Sequence, residues 1–243
     1  MLIAELALCL KDPDPQVRDG YPYVVLRTWI ERDVIAGERR ASLGDEMAAR
    51  FTDPQTEART FAPLVLDMIV SRGDFRQTWL DAFTAWYPAE LDLRGYDEKL
   101  GWLHAVAHGA DLLGAFGRHP GVEPAAMLDL AAARMLTPTG YLYAEREDDR
   151  LARAIALTLT RPELTPDRSV CWLDAIGADL RAVASGTTPV YVSNALRTLR
   201  MLYLLADRGV PAQASGTRRP LAHADAVKQR LVEVLESDAK SIG

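Results

Sequence analysis

Apolar residues recur at three- and four-residue intervals along nearly the whole chain, and no β-branched alternation runs beyond four residues. A chain patterned this way buries its apolar stripes by packing helix on helix, so the sequence predicts an all-α fold. The stripes predict helices at about 2–11, 16–35, 40–51, 54–72, 75–91, 97–117, 123–136, 146–160, 166–184, 190–207 and 221–238. Proline and glycine mark the breaks: Pro13 and Pro15, Gly37, Asp53-Pro54, Gly73-Asp74, Gly95, Pro120-Gly121, Thr137-Pro138, Pro162, Gly186, and Pro211 through Gly216. Thr52-Asp53-Pro54 and Thr165-Pro166-Asp167 each set a capping side chain before a proline at the first helical position. Pro22 and Pro63 fall inside predicted helices, where the ring removes a donor and crowds the preceding turn, so a kink or a split is expected at both. Pro211 to Pro220, with Ser215, Gly216 and Arg218-Arg219, reads as a mobile loop.

Ten or eleven helices joined by short turns suit stacked helix pairs in a right-handed α/α superhelix of the HEAT or armadillo kind, with an irregular helical bundle as the alternative. Segment 97–117, apolar around most of its circumference, reads as a helix sandwiched between layers and favours the superhelix. At 243 residues the chain is expected to form a single helical domain whose core needs neither a metal nor disulfides.

Charge narrows the partners. With 34 acidic against 28 basic side chains and the arginines dispersed, a nucleic-acid footprint is not expected. Cys9 and Cys171 stand far apart, outside any C-x-x-C spacing, and read as buried small hydrophobes rather than a disulfide or zinc pair. Met1 to Leu10 is apolar but carries Glu5 and lacks a basic leader, so it does not read as a signal peptide. No apolar run nears the ~18 residues of a membrane span. The expectation is a cytoplasmic protein without membrane contact. No phosphate-binding loop, dinucleotide fingerprint or nucleophile elbow is present, and no cofactor is expected.

The segment Gly101-Trp102-Leu103-His104-Ala105-Val106-Ala107-His108-Gly109-Ala110-Asp111-Leu112-Leu113 holds the strongest chemical signal. On one helix, His104, His108 and Asp111 share a polar stripe, with Trp102, Val106 and Leu113 on the other side. Such a stripe serves as a ligand-facing groove, as an acid/base pair oriented by the carboxylate, or as hydrogen-bonded core. No metal is expected. Any metal would fall to His104, His108 and Asp111, although Ala105 stands where a zincin carries glutamate.

Arg18-Asp19-Gly20-Tyr21-Pro22-Tyr23, then Arg94-Gly95-Tyr96 leading into Gly101-Trp102-Leu103-His104-Ala105-Val106-Ala107-His108 with Asp111-Leu112-Leu113, and Glu147-Asp148-Asp149-Arg150-Leu151-Ala152 form a set of motifs. This set resembles an uncharacterised bacterial domain-of-unknown-function family over residues 15–160, with 162–243 as a C-terminal helical extension. The resemblance implies an all-helical protein without an assigned reaction and keeps the focus on His104, His108 and Asp111.

Arg18, Asp19 and Tyr21 either line the same groove as the histidines or anchor a kinked helix as an ion pair and a tyrosine. Glu145 to Arg150 reads as a solvated helix start, or as a source of Asp148, Asp149 or Arg150 for a facing histidine. Trp79, Phe83 and Trp86, at i, i+4 and i+7, read as core. Tyr141-Leu142-Tyr143 is a loop that covers a groove or packs on one, while His119 and His223 have no partner at useful spacing. The reading is a binding or interaction module with a polar groove for a protein or small-molecule ligand. The alternative is an enzyme using the histidine stripe, with Arg18 or Arg150 holding an anionic substrate.

Overall fold

The computed structural model describes residues 2–183, 187–212 and 216–239, apart from the side chains of 237–239. The turn expected at Gly186 and the Ser215 part of the expected loop lie outside the described residues. The protein is mostly helical, and its chain divides into two compact units, Met1–Gly121 and Val122–Gly243.

The first unit runs α1 (Leu2–Cys9), α2 (Pro15–Arg18), α3 (Tyr21–Glu31), α4 (Glu38–Ala49), a 3₁₀ turn at Arg50–Thr52, α5 (Thr56–Ser71), α6 (Gln77–Trp86), β1 (Tyr96–Asp97), β2 (Gly101–Trp102) and α7 (Ala105–Arg118). The predicted helix 16–35 is split. Asp14 caps α2 by accepting from the Gln16 amide, Asp19 and Gly20 end that single turn, and Pro22 opens α3 within its first two positions, where no intrahelical donor is lost. Pro63 behaves differently: α5 continues through it from Thr56 to Ser71. An interior proline costs about 3 kcal/mol. Burial of Phe61, Val65, Leu66 and Ile69 on the same helix, at about 1.5–3 kcal/mol each, outweighs it. The start of α5 lies two residues beyond the predicted cap, because Asp53 turns the chain by accepting from the Gln55 amide.

Helix α5 is the centre of this unit, packed along α7 and flanked by α3 and α4. Trp79, Phe83 and Trp86 are core, as the sequence predicts, and Phe83 sits 5.7 Å from Phe116 of α7. The Tyr87 hydroxyl donates to the Val106 carbonyl at 2.8 Å, and its ring lies where a Cβ on Gly109 would be, 2.1 Å away, so glycine there is a packing requirement. His119 stacks on Phe75 at 4.9 Å and accepts from the Gly121 amide, so it has the partners that sequence spacing did not offer.

The second unit runs α8 (Pro124–Leu136), α9 (Glu147–Thr158), α10 (Pro166–Val170), α11 (Leu173–Ala182), α12 (Val190–Arg208), β3 (Val210–Pro211), β4 (Arg218–Arg219) and α13 (Ala224–Ala239). Thr165 caps α10 with Pro166 as its first residue, as expected, but the predicted helix 166–184 breaks around Cys171. Cys171 is exposed at that break and Cys9 is half-buried, so neither is the buried hydrophobe expected of it. Helix α9 packs on α12, and its predicted stripe of Leu151, Ile155 and Leu159 is buried. The flanks of the expected Pro211–Pro220 loop pair as an antiparallel ribbon, Val210 with Arg219 and Pro211 with Arg218. His223 lies 2.7 Å from the Leu164 carbonyl. No helix among the described residues is long and apolar enough to cross a membrane.

Candidate functional site

The predicted helix 97–117 begins only at Ala105, because the residues before it make a small hairpin. Asp97 accepts from the Lys99 and Leu100 amides at 2.9 and 3.0 Å, turning the chain so that Tyr96 pairs with Trp102 and Asp97 with Gly101. Arg94 braces this turn through Asp92 and Asp97, and its carbonyl takes the His104 amide at 3.0 Å. Both carboxyls are held below their ordinary range, Asp92 chiefly by the Arg94 guanidinium and Asp97 chiefly by the Leu100 and Lys99 amides.

His104 is therefore no stripe residue of a helix. It caps α7 in the left-handed conformation, φ 53° and ψ 35°. Trp102, expected on the far side, instead lies flat on it: the rings are 4.4 Å apart and 4° from parallel, with Tyr96 edge-on to the indole at 5.0 Å. Trp102 is 39% exposed and His104 half-buried. His108, one turn into α7, is 5.4 Å from the His104 ring and 5% exposed. Its Nδ1 is 2.8 Å from the Thr60 carbonyl of α5, so it donates there, and Phe61 meets its ring edge-on.

Arg18 and Asp19 join this site from α2. The Arg18 side chain is fully buried and donates to Asp19 and to the carbonyls of Asp12, Leu100 and Trp102, while its guanidinium lies 5.0 Å over Phe61. Asp19 in turn accepts from the Trp102 amide at 3.3 Å. Close approach here needs a glycine: a Cβ on Gly101, whose φ is +70°, would lie 2.6 Å from Pro15 and 2.8 Å from the Asp19 carboxylate. Tyr21, by contrast, is exposed at the first residue of α3.

Asp111 belongs to a neighbouring polar group. Tyr23 of α3 has its hydroxyl pushed up first by burial and further by the charges of Asp67 and Asp111, against Arg27, which hydrogen-bonds it. Sequence reasoning named Tyr23 and Tyr96 within its motifs without giving either a role, and it missed Asp67. The Asp97 turn before Gly101 was the available signal for Tyr96, whereas no local signal relates Asp67 to Asp111. Among the described residues no three His, Cys, Asp or Glu side chains come together as a metal-holding group, so His104, His108 and Asp111 do not form one.

Asp149 and Arg150 lie in the second unit, at the start of α9. The solvated run expected there is partly buried. Asp148 takes Nε of Arg197 at 2.6 Å rather than a histidine, and Glu147 accepts from the Glu145 amide. Tyr143 beside them is buried and pushed up to about 12 by that burial, against Arg134, which hydrogen-bonds it. Asn194 fastens the Tyr141–Tyr143 loop to α12, accepting from the Tyr143 amide and donating to the Tyr141 carbonyl, both at 2.9 Å. Asp149 and Arg150 line a cleft of about 400 Å³ with Glu145, Arg146, Arg153 and the apolar side chains of α12 and β3.

Comparison with curated proteins finds no match. Among solved structures, a crystal structure of an engineered protein from the Northeast Structural Genomics Consortium is 13% identical, covering 99% of this chain and 98% of that one at a TM-score of 0.43. A likeness that low carries no argument about fold or activity. A family model matches residues 50–204, which takes in everything from the 3₁₀ turn through α11, and most of α12. The match leaves out Arg18, Asp19 and Tyr21 and runs beyond residue 160, where the motif resemblance stopped. With the match spanning more than half its length, the chain belongs to DUF2785, a family of proteins of unknown function.

Proposed function

We propose that this protein is a binding module whose contact surface is built around Trp102. The observation that carries the reading is the Trp102–His104 pair, parallel at 4.4 Å, half-exposed, and flanked by Tyr96. Aromatic side chains of this kind dominate the energy of recognition surfaces. Arg18 and Asp19 hold the backbone beneath the indole, so little freedom remains to be lost on binding. The left-handed His104 adds about 1–2 kcal/mol of local strain that its surroundings offset, and such strain collects at functional sites. The partner is a protein or small molecule that offers an apolar or cationic group to a flat aromatic face. The excess of acidic side chains argues against nucleic acid. Nitrogen-15 NMR with indole and with tetramethylammonium as probes tests this. With the Trp102 indole N–H identified by its loss in Trp102→Ala, a saturable shift of that signal with either probe supports the reading, and a signal unmoved by both probes at millimolar concentration sinks it.

One observation favours a second reading. With Nδ1 donating to the Thr60 carbonyl, a neutral His108 carries its lone pair on Nε2, the form a general base requires. An Nε2–H tautomer in the NMR spectrum would remove this acid/base alternative. For the arrangement of helices we keep stacked pairs in a right-handed α/α superhelix within a single domain, supported by sequential packing such as α4 on α5. Solution scattering separates an elongated superhelix from an irregular bundle, and a single calorimetric transition is the expected signature of one domain.

A further inference from the structure

We infer that the cleft at the start of α9 is a binding site for a small carboxylate with an apolar body. This goes beyond the Trp102 reading and does not depend on it, since every lining residue belongs to the second unit. Three guanidinium groups line the cleft, Arg146, Arg150 and Arg153, spaced so that they rise along successive turns of one helix face. Glu145 and Asp149 line it too, so the wall carries one positive charge in excess. A monoanion neutralises that excess, whereas a phosphate dianion would overshoot it. Arg146 and Arg153 are only partly committed. Among the described residues Arg146 gives one N–H, Nε, to Asp149 at 3.2 Å while its side chain is 83% exposed, and Arg153 gives Nη1 to the Pro211 carbonyl at 3.2 Å. Each keeps further N–H groups in the fork that matches a planar carboxylate.

The opposite wall is apolar. Met201 and Leu205 stand one turn apart on α12, and Pro211 of β3 completes the wall. A cleft of about 400 Å³ falls within the range of small-molecule sites. Cationic groups on one side and a short apolar wall on the other select an amphipathic acid over a simple anion or a simple hydrocarbon. Arg146 adds a pre-set element, because its left-handed backbone at φ 66° fixes the chain just where it enters the cleft.

Titration calorimetry of the whole protein with octanoate, against acetate and 1-octanol as controls, decides the matter. The expected result is one octanoate per chain, bound at least 10-fold more tightly than either control. Arg153→Gln should weaken octanoate at least 5-fold with an unchanged circular dichroism spectrum. Should that variant fail to fold, Met201→Glu on the half-exposed wall takes its place, and loss of octanoate binding is again expected. Octanoate binding no tighter than that of the controls, or undiminished in the folded variant, overturns the proposal.

Discussion

Helices α7 and α9 are both entered through a non-glycine residue in the left-handed conformation, His104 at φ 53° and Arg146 at φ 66°. The first turn of α7 is Ala105-Val106-Ala107, with no acid to meet its amides, while that of α9 is Glu147-Asp148-Asp149. At α7 the charges come from far along the chain, with Arg18 reaching the Leu100 carbonyl across 82 residues. At α9 much of the charge is local, with Arg146 holding Asp149 three residues on. The same backbone device thus ends in an aromatic surface clamped from a distance in one unit, and in a charged cleft drawn from neighbouring residues in the other.

The sharpest way to break this comparison is to remove the clamp. Arg18→Ala should cost about 3–5 kcal/mol, because a large, fully buried side chain is removed and three carbonyls lose their donor. Arg197→Ala, which strips one half-exposed donor from the buried Asp148 carboxylate, should cost about 1–3 kcal/mol. Equal losses in urea unfolding would show that the two helix starts are anchored alike.

The two histidines should separate next. His108→Ala removes a buried hydrogen bond to the Thr60 carbonyl and the edge contact with Phe61 and should cost about 1–3 kcal/mol, whereas half-buried His104→Ala should cost under about 1 kcal/mol. A reversed order in the unfolding midpoints would return His104 to the core role that its place in the sequence first suggests.

Alkaline pH reads the second unit. Tyr143 is neutral when protonated and holds its proton up to about 12, against about 10 in the unfolded chain. Its contribution is complete below pH ~10 and is lost as pH rises from there through 12, a fall of about 3 kcal/mol at most. Tyr143→Phe should flatten that limb in unfolding curves taken from pH 9 to 12. If Tyr23→Phe in the first unit flattens it equally, burial of Tyr143 is not the cause.

The smallest effect concerns the left-handed residues themselves. Arg146→Gly should raise stability by about 0.5 kcal/mol by relieving its backbone, since the exposed side chain packs little. His104→Gly gains the same relief but loses the stack on Trp102, so no rise in melting temperature is expected there.

Much of the fold was legible because its causes are local. The Pro166 start with its Thr165 cap, the Trp79-Phe83-Trp86 core stripe and the buried face of α9 each follow from residues within a turn or two of one another. The candidate site was legible in composition but not in shape. His104, His108, Trp102, Arg18 and Asp19 were all marked by sequence, and the structure brings these five together, yet it does so through a hairpin that helical periodicity read as more helix. Two-residue strands carry too little pattern to compete with the apolar run that follows them.

The sequence by itself therefore determined the helical class, most break points and the residues worth watching, because propensity, capping and apolar spacing act over a few residues. Only the tertiary structure decided that Arg18, Glu147 and Asp148 are buried, that His104 leaves the helix and that Trp102 covers it. Burial of a charge depends on partners far along the chain, Leu100 for Arg18 and Arg197 for Asp148, and the free energy of such pairs exists only once the chain has closed the loops between them.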